Sequence, residues 1–352
     1  MGHSPMWEDY QRMAYRFVAS LPNMSVNDAA RSLEDFAQRF AHERDSLPQT
    51  DEERAFHLVA VVADMVDQEL PIADDERAQQ IMLDAPRMLD EALSLDKGCQ
   101  DAVRMSQTMS QDSFESTLTF LMDRRAEVRE RCEEDFRKAS EHPSLEIRLL
   151  GRDLALRPYL RWVSQAATYA LVLGHNRQTL TLVDEALKAD PGDAVGALFT
   201  GVLAYAKLED EEGLEAFVKS SRRHGALRAD DNPWTLMARM AIAYKQRDFT
   251  RAASMIDILA RNYHHALDAL YRRIDLPEGV FARIAVQPYS EDEVTLCIAE
   301  SLVFLQEGVD AFVTGTMGSW VVEEVSKRLP NRRVQALKRE MASRQAESEG
   351  MR

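Results

Sequence analysis

Apolar positions recur at three- and four-residue intervals along most of the chain, a period that predicts amphipathic helices and an all-α fold. After Ser4-Pro5, the residues Trp7, Tyr10, Met13, Ala14, Phe17 and Val18 fall on one helical face. Ser25 is placed to cap a second helix with the stripe Ala29, Leu33, Phe36 and Phe40. A third helix is expected from about Thr50 to Leu70, ending before Pro71. A long charged helix follows at about Phe114 to Ala139, with Leu118, Leu121, Val128 and Cys132 facing inward, and His142-Pro143 closes it. The segment Ile274 to Tyr289, with Pro277, Gly279 and Pro288, is the least helical. Ser290 and Glu293 then have the spacing of a capping box for a helix reaching about Gln306. A helix from Val309 to Leu329 carries Gly315 and Gly318, whose missing side chains would admit a close neighbour. In the basic tail from Lys327 to Arg344, Val334, Leu337 and Met341 form a narrow stripe suited to capping an open helical array. A basic docking helix for an acidic partner is the alternative for that tail.

Between Pro158 and His264 small residues return at a longer period. Ala167, Thr179 and Ala186 precede a turn at Pro191. Gly201, Gly213 and Ser220 follow, with a bulky Phe217, and a third set includes Ala252 between Tyr244-Phe249 and His264. The step from Thr179 to Gly213 matches a period of about 34 residues. The step to Ala252 is a few residues longer, which places a short insertion in the turn-rich stretch Gly225 to Asn232. This pattern resembles the tetratricopeptide repeat, which places small residues where paired helices touch. Met240 and Leu259 depart from it in the third unit, where large residues would splay or shift the helix pair. Ala85, Leu89 and Ala92 resemble the second half of one more, degenerate unit.

The resemblance implies a right-handed α-α superhelix, a tetratricopeptide-like solenoid preceded by further helical hairpins. It divides the chain into an N-terminal helical region (1–145), the repeats (146–270) and C-terminal helices with a cap (271–352). It also implies a concave groove lined by the first helix of each unit. The first unit would supply Arg161, Thr168 and Leu171, the second Leu198, Val202 and Tyr205, and the third Trp234, Met237, Tyr244 and Lys245. Chaperone-binding members of the family grip terminal carboxylates with Lys, Asn and Arg. Here Ser164, Thr168, Phe199, Trp234 and Ala238 stand at those positions, so that clamp is not expected. The groove instead suits an amphipathic helix or an extended apolar peptide, with Tyr and Trp as anchors. Either an external partner or another part of this chain, such as the N-terminal helices, would fill it.

Composition narrows the function. With 45% hydrophobic and 29% charged residues the chain reads as a folded helical protein. The formal charge of −16 opposes general nucleic-acid binding, because phosphate attraction supplies its sequence-independent part. No apolar run approaches the length of a membrane span, and Met1 to Glu8 has neither the basic nor the apolar region of a secretion signal, so a cytoplasmic location is expected. Cys99, Cys132 and Cys297 lack metal-ligand spacing and read as buried thiols. His42-Glu43-Arg44 is not followed by a second His one turn on, and Gly315-Thr316-Met317-Gly318-Ser319 lacks the Lys of a phosphate loop. The expectation is a non-enzymatic, cofactor-free scaffold that binds a protein or peptide. The alternatives are a regulatory module whose N-terminal helices act while the repeats read a peptide signal, and an enzyme with a site assembled from distant residues.

Overall fold

The computed structural model describes residues 4–21, 26–70, 73–111, 113–223, 232–273, 286–308 and 315–350. Among the described residues the fold is all-α, with 17 α-helices and no strand. Ser25, Pro71, the insertion starting at Gly225 and most of the segment starting at Ile274 lie outside them. No helix among the described residues is long and apolar enough to cross a membrane. The chain divides into two compact units, Met1–Tyr169 with residues 277–285, and Ala170–Leu276 with Val286–Arg352.

The first unit contains α1 (Pro5–Ser20), α2 (Val26–Glu43), α3 (Asp51–Asp64), α4 (Asp75–Leu95), α5 (Gln100–Ser110) and α6 (Phe114–Ser140). It also takes most of α7 (Leu145–Val172), within which the unit boundary falls. Local chemistry sets several helix starts. Ser4 accepts from the Trp7 amide, Ser113 accepts from the Ser116 amide, and Thr50 and Glu53 form a reciprocal capping box. Helix α3 runs on through a π-turn at Met65–Glu69. α3 packs on α1, α4 and α5, and its Phe56, Val59 and Val62 meet Leu89, Ala92 and Ala102 in one apolar cluster. Met13, Phe36 and Leu47 form a second cluster, in which the Phe17 and Phe36 rings stack at 4.6 Å. Trp7 lies at the rim of this stripe, 48% exposed and stacked on Tyr10.

The second unit is built from helix pairs. α8 (Asn176–Ala189) packs on α9 (Ala197–Leu208), α9 on α10 (Glu211–Arg223), and α11 (Pro233–Lys245) on α12 (Phe249–Asn262), while α9 also packs on α11. The small positions explain the close fit. A Cβ on Gly201 would lie 2.7 Å from the Phe217 ring, and one on Gly213 would lie 2.6 Å from the Tyr205 ring. Ala186, Thr179 and Ala252 are buried, whereas Ser220 is exposed. Met240 and Leu259 are accommodated with no exposed surface. The turn between α8 and α9 is held by Asp190, which accepts from the Gly192 and Ala194 amides, and by Asp193, which accepts from those of Ala197 and Leu198.

The remaining helices are α13 (Ala266–Arg272), α14 (Glu291–Glu300), α15 (Leu302–Leu305), α16 (Thr316–Arg328) and α17 (Asn331–Gly350). α14 packs on α11 and α13, and α16 on α13 and α15. Ser290 caps α14 by accepting from the Glu293 amide. Gly315 has φ +77°, and a Cβ there would strike the backbone of Leu305 and Gln306, so α16 starts in close contact with the end of α15. Val334 and Leu337 of α17 enter the same core, and its Glu340 pairs with Arg272 while its Arg333 pairs with Asp268.

Candidate functional site

The sequence-predicted groove residues fall in both units, and several of those in the second unit meet residues of the C-terminal helices. Helix α11 opens with Asn232, which accepts from the Thr235 amide, followed by Pro233 at the first helical position. This start places Trp234 with 1% of its surface exposed. Its ring stacks on Phe199 at 3.9 Å, and its Nε1–H donates to Glu300 at 2.5 Å. Leu171, Leu198, Val202 and Met237 are at most 3% exposed and belong to the core that includes Val294, Ile298 and Phe304. Tyr244 is half-buried, with its ring 5.1 Å from that of Trp320. Trp234 and Tyr244 of the expected groove thus meet the chain's own C-terminal helices.

Charged groups complete this face. Lys207, near the end of α9, donates to the Val303 carbonyl at 2.9 Å and to Glu307 Oε1. Lys245, at the end of α11, lies 2.9 Å from Glu307 Oε2 and 3.8 Å from Glu209. Burial pushes the pKa of Glu307 up, and the hydrogen bonds from both ammonium groups more than reverse this, leaving it below the ordinary value. Tyr263, just past α12, donates its hydroxyl to Glu293 at 2.9 Å, and Glu293 also accepts from the Tyr289 amide. The result is a row of carboxylate partners, of which two are neutral aromatic donors and two are ammonium groups. Tyr205 stands aside from that row, half-buried with its ring against Phe217, and burial raises its pKa.

The two remaining groove residues belong to the first unit. Arg161 is 1% exposed and bridges Glu8, at 2.8 Å, and Asp101, at 2.8 Å through Nε. Arg157 lies 3.3 Å from Glu8, and Arg104 lies 3.1 Å from Asp101. Burial pushes Glu8 up, but the guanidinium groups of Arg161, Arg12 and Arg157 bring it far below the usual carboxylate range. Asp101 follows the same pattern, with burial opposed chiefly by Arg161. Thr168 is partly buried, and its hydroxyl donates to the Ser164 carbonyl. Beside this network, Asp9 is fully buried and accepts from Arg44 Nε at 2.7 Å, with His57 Nδ1 also at 2.7 Å.

Sequence reasoning passed over Glu8, Asp101, Glu300 and Glu307, and read Glu293 only as part of a capping box, whereas its carboxylate accepts from the Tyr289 amide and the Tyr263 hydroxyl. The glutamates recur every seven residues in the sequence; Glu293 and Glu300 fall on one face of α14, while Glu307 lies two residues past α15. Among the described residues no group of three or more His, Cys, Asp or Glu side chains is placed to hold a metal ion. Comparison with known proteins finds no family model, no curated protein and no solved structure that matches the chain.

Proposed function

We propose that this chain is a non-catalytic, cofactor-free interaction scaffold whose second unit binds an amphipathic helix of a protein partner. The helix pairs α9/α10 and α11/α12 serve in this reading as tetratricopeptide-like units of a right-handed solenoid. Support comes from the periodic small residues and from the close approaches at Gly201 and Gly213. The observation that carries the reading is the face made by Lys207, Trp234, Lys245 and Tyr263, whose donors engage Glu293, Glu300, Val303 and Glu307 of the same chain. A face with aromatic anchors and paired charges beside apolar side chains has the composition of a protein-recognition surface.

The test compares the purified chain with a folded Lys207→Ala/Lys245→Ala variant as bait in lysate of its source cells. The expected result is a protein retained by the unmodified chain and lost with the variant. Identical capture by the two baits would remove this face from the function and with it the scaffold reading.

A further inference from the structure

We infer that the outward face of α17 docks an acidic segment of a protein partner, a contact separate from the face to which Lys207 and Trp234 belong. The sequence sets up the charge asymmetry. Residues 327–352 hold eight Lys and Arg against three Glu, whereas the rest of the chain holds 35 Lys and Arg against 56 Asp and Glu. Helix α17 then sorts its charges by direction. Val334 and Leu337 are buried, and Met341 packs against the same core. On the flanks, Arg333 pairs with Asp268 and Glu340 pairs with Arg272. Arg332 and Arg339 stand seven residues apart on the side opposite that buried row, and Lys338 borders them. Arg332, Lys338 and Arg339 are all exposed, and none of the three has an ion pair among the described residues.

Solvated charged helices elsewhere in this chain are built differently. On α6, Arg124 pairs with Glu127, Arg129 with Glu133 and Lys138 with Glu134, and on α8 Lys188 pairs with Asp184. Each cation there is answered by a carboxylate three or four residues away. No Asp or Glu stands three or four residues from Arg332, Lys338 or Arg339. Arg332 also lies in the first turn of α17, which holds no acidic residue although the helix dipole favours one there. The face thus carries charge that its own helix does not answer, and guanidinium groups take carboxylates as forked, charge-assisted partners. The range of that charge decides the class of partner. Screening confines its field to about 8 Å at physiological ionic strength. Arg332 and Arg339 are about 10 Å apart along the helix, a span that a short segment with two or more Asp or Glu matches. A nucleic acid or an anionic membrane extends past the patch and meets a chain that is otherwise strongly acidic, which repels it.

A short fluorescent polyglutamate peptide tests this on the full chain, by anisotropy at low salt. Its affinity is compared between the unmodified chain, an Arg332→Glu/Arg339→Glu variant and a Lys138→Glu/Lys188→Glu variant. The last is the control, because its two lysines are exposed, are already paired on their own helices, and change the net charge by the same amount. The affinity is expected to fall at least about tenfold in the α17 variant and less than about threefold in the control, since exposed pairs contribute little singly and act here together. Equal losses in the two variants would make the binding an effect of net charge and overturn the inference, as would no binding to the unmodified chain. If the α17 variant melts earlier than the unmodified chain, the corresponding glutamine variants at both pairs of positions are compared by the same criterion. Phosphatidylserine vesicles and a DNA duplex are titrated alongside. Tighter binding of either one than of the peptide overturns the assignment to a protein segment.

Discussion

A guanidinium with 1% of its surface in contact with water, as at Arg161, survives only if its charge is answered within hydrogen-bond reach. Glu8 and Asp101 supply that answer from 153 and 60 residues away in the chain. Arg161→Ala is therefore expected to cost about 3–5 kcal/mol, since it leaves two buried carboxylates short of their partner. Adding Glu8→Gln and Asp101→Asn to that variant is expected to restore part of the loss, and chemical denaturation of the series measures both. Full additivity of the three substitutions would show that they do not act as one network. Both carboxylates titrate below their unfolded values, so their contribution is present above the ordinary carboxylate range and is lost as pH falls toward the folded values. Stability is expected to be flat near neutrality and to decline below about pH 5. The decline should be shallower in the Glu8→Gln variant, as denaturant midpoints across pH would reveal. The thiols behave differently, because burial pushes both Cys99 and Cys132 up to about 11. Native protein is expected to react with a thiol reagent far more slowly than denaturant-unfolded protein, and rapid labelling of either cysteine in the native state would contradict that burial. Arg161 in the sequence reads as the basic edge of a groove because nothing near it in the chain announces its acidic partners. The cysteines were legible because widely separated free thiols are usually buried.

Helices and their ends were legible wherever the cause lies within a turn or two. Ser290 caps the helix expected of it, and Ser4 and Thr50 cap helices whose starts the sequence places there, because the capping oxygen and the amide it meets are three residues apart. The stripe Val334, Leu337 and Met341 turns inward as its spacing implies. Gly315 and Gly318 do admit a neighbour, the turn at Leu305. Ser220 lay beyond such reasoning, since the buried row of α10 is instead Leu214, Val218 and Ser221. The fit between α9 and α10 gives an element-scale prediction. Gly201→Leu drives a side chain into Phe217 and Val183 and is expected to cost about 1–3 kcal/mol by thermal or chemical denaturation. Phe217→Ala placed beside it should recover much of that loss by opening the space. If the double variant is no more stable than the single one, the two residues do not share the contact.

At the scale of the whole molecule the second unit gathers most of its buried apolar side chains into one core, running from Leu171 through the helix pairs to Leu337. A chain ending at Arg273 would uncover Trp234, Met237 and their neighbours. It is expected to bind an apolar dye strongly and to lose thermal stability, whereas a truncated chain as stable as the full one would show that the C-terminal helices are dispensable to that core. The all-α character, the approximate helix limits and the small-residue contacts were determined by the sequence alone, because they depend on side-chain period and on caps within a few residues. The occupancy of the aromatic face and the burial of Arg161 were decided only by the tertiary structure. Helical periodicity states that a face is apolar but not what covers it. The covering groups arrive from far along the chain, as Glu307 does to Lys207 across 100 residues, and their selection depends on the summed desolvation and pairing of all the groups that meet there.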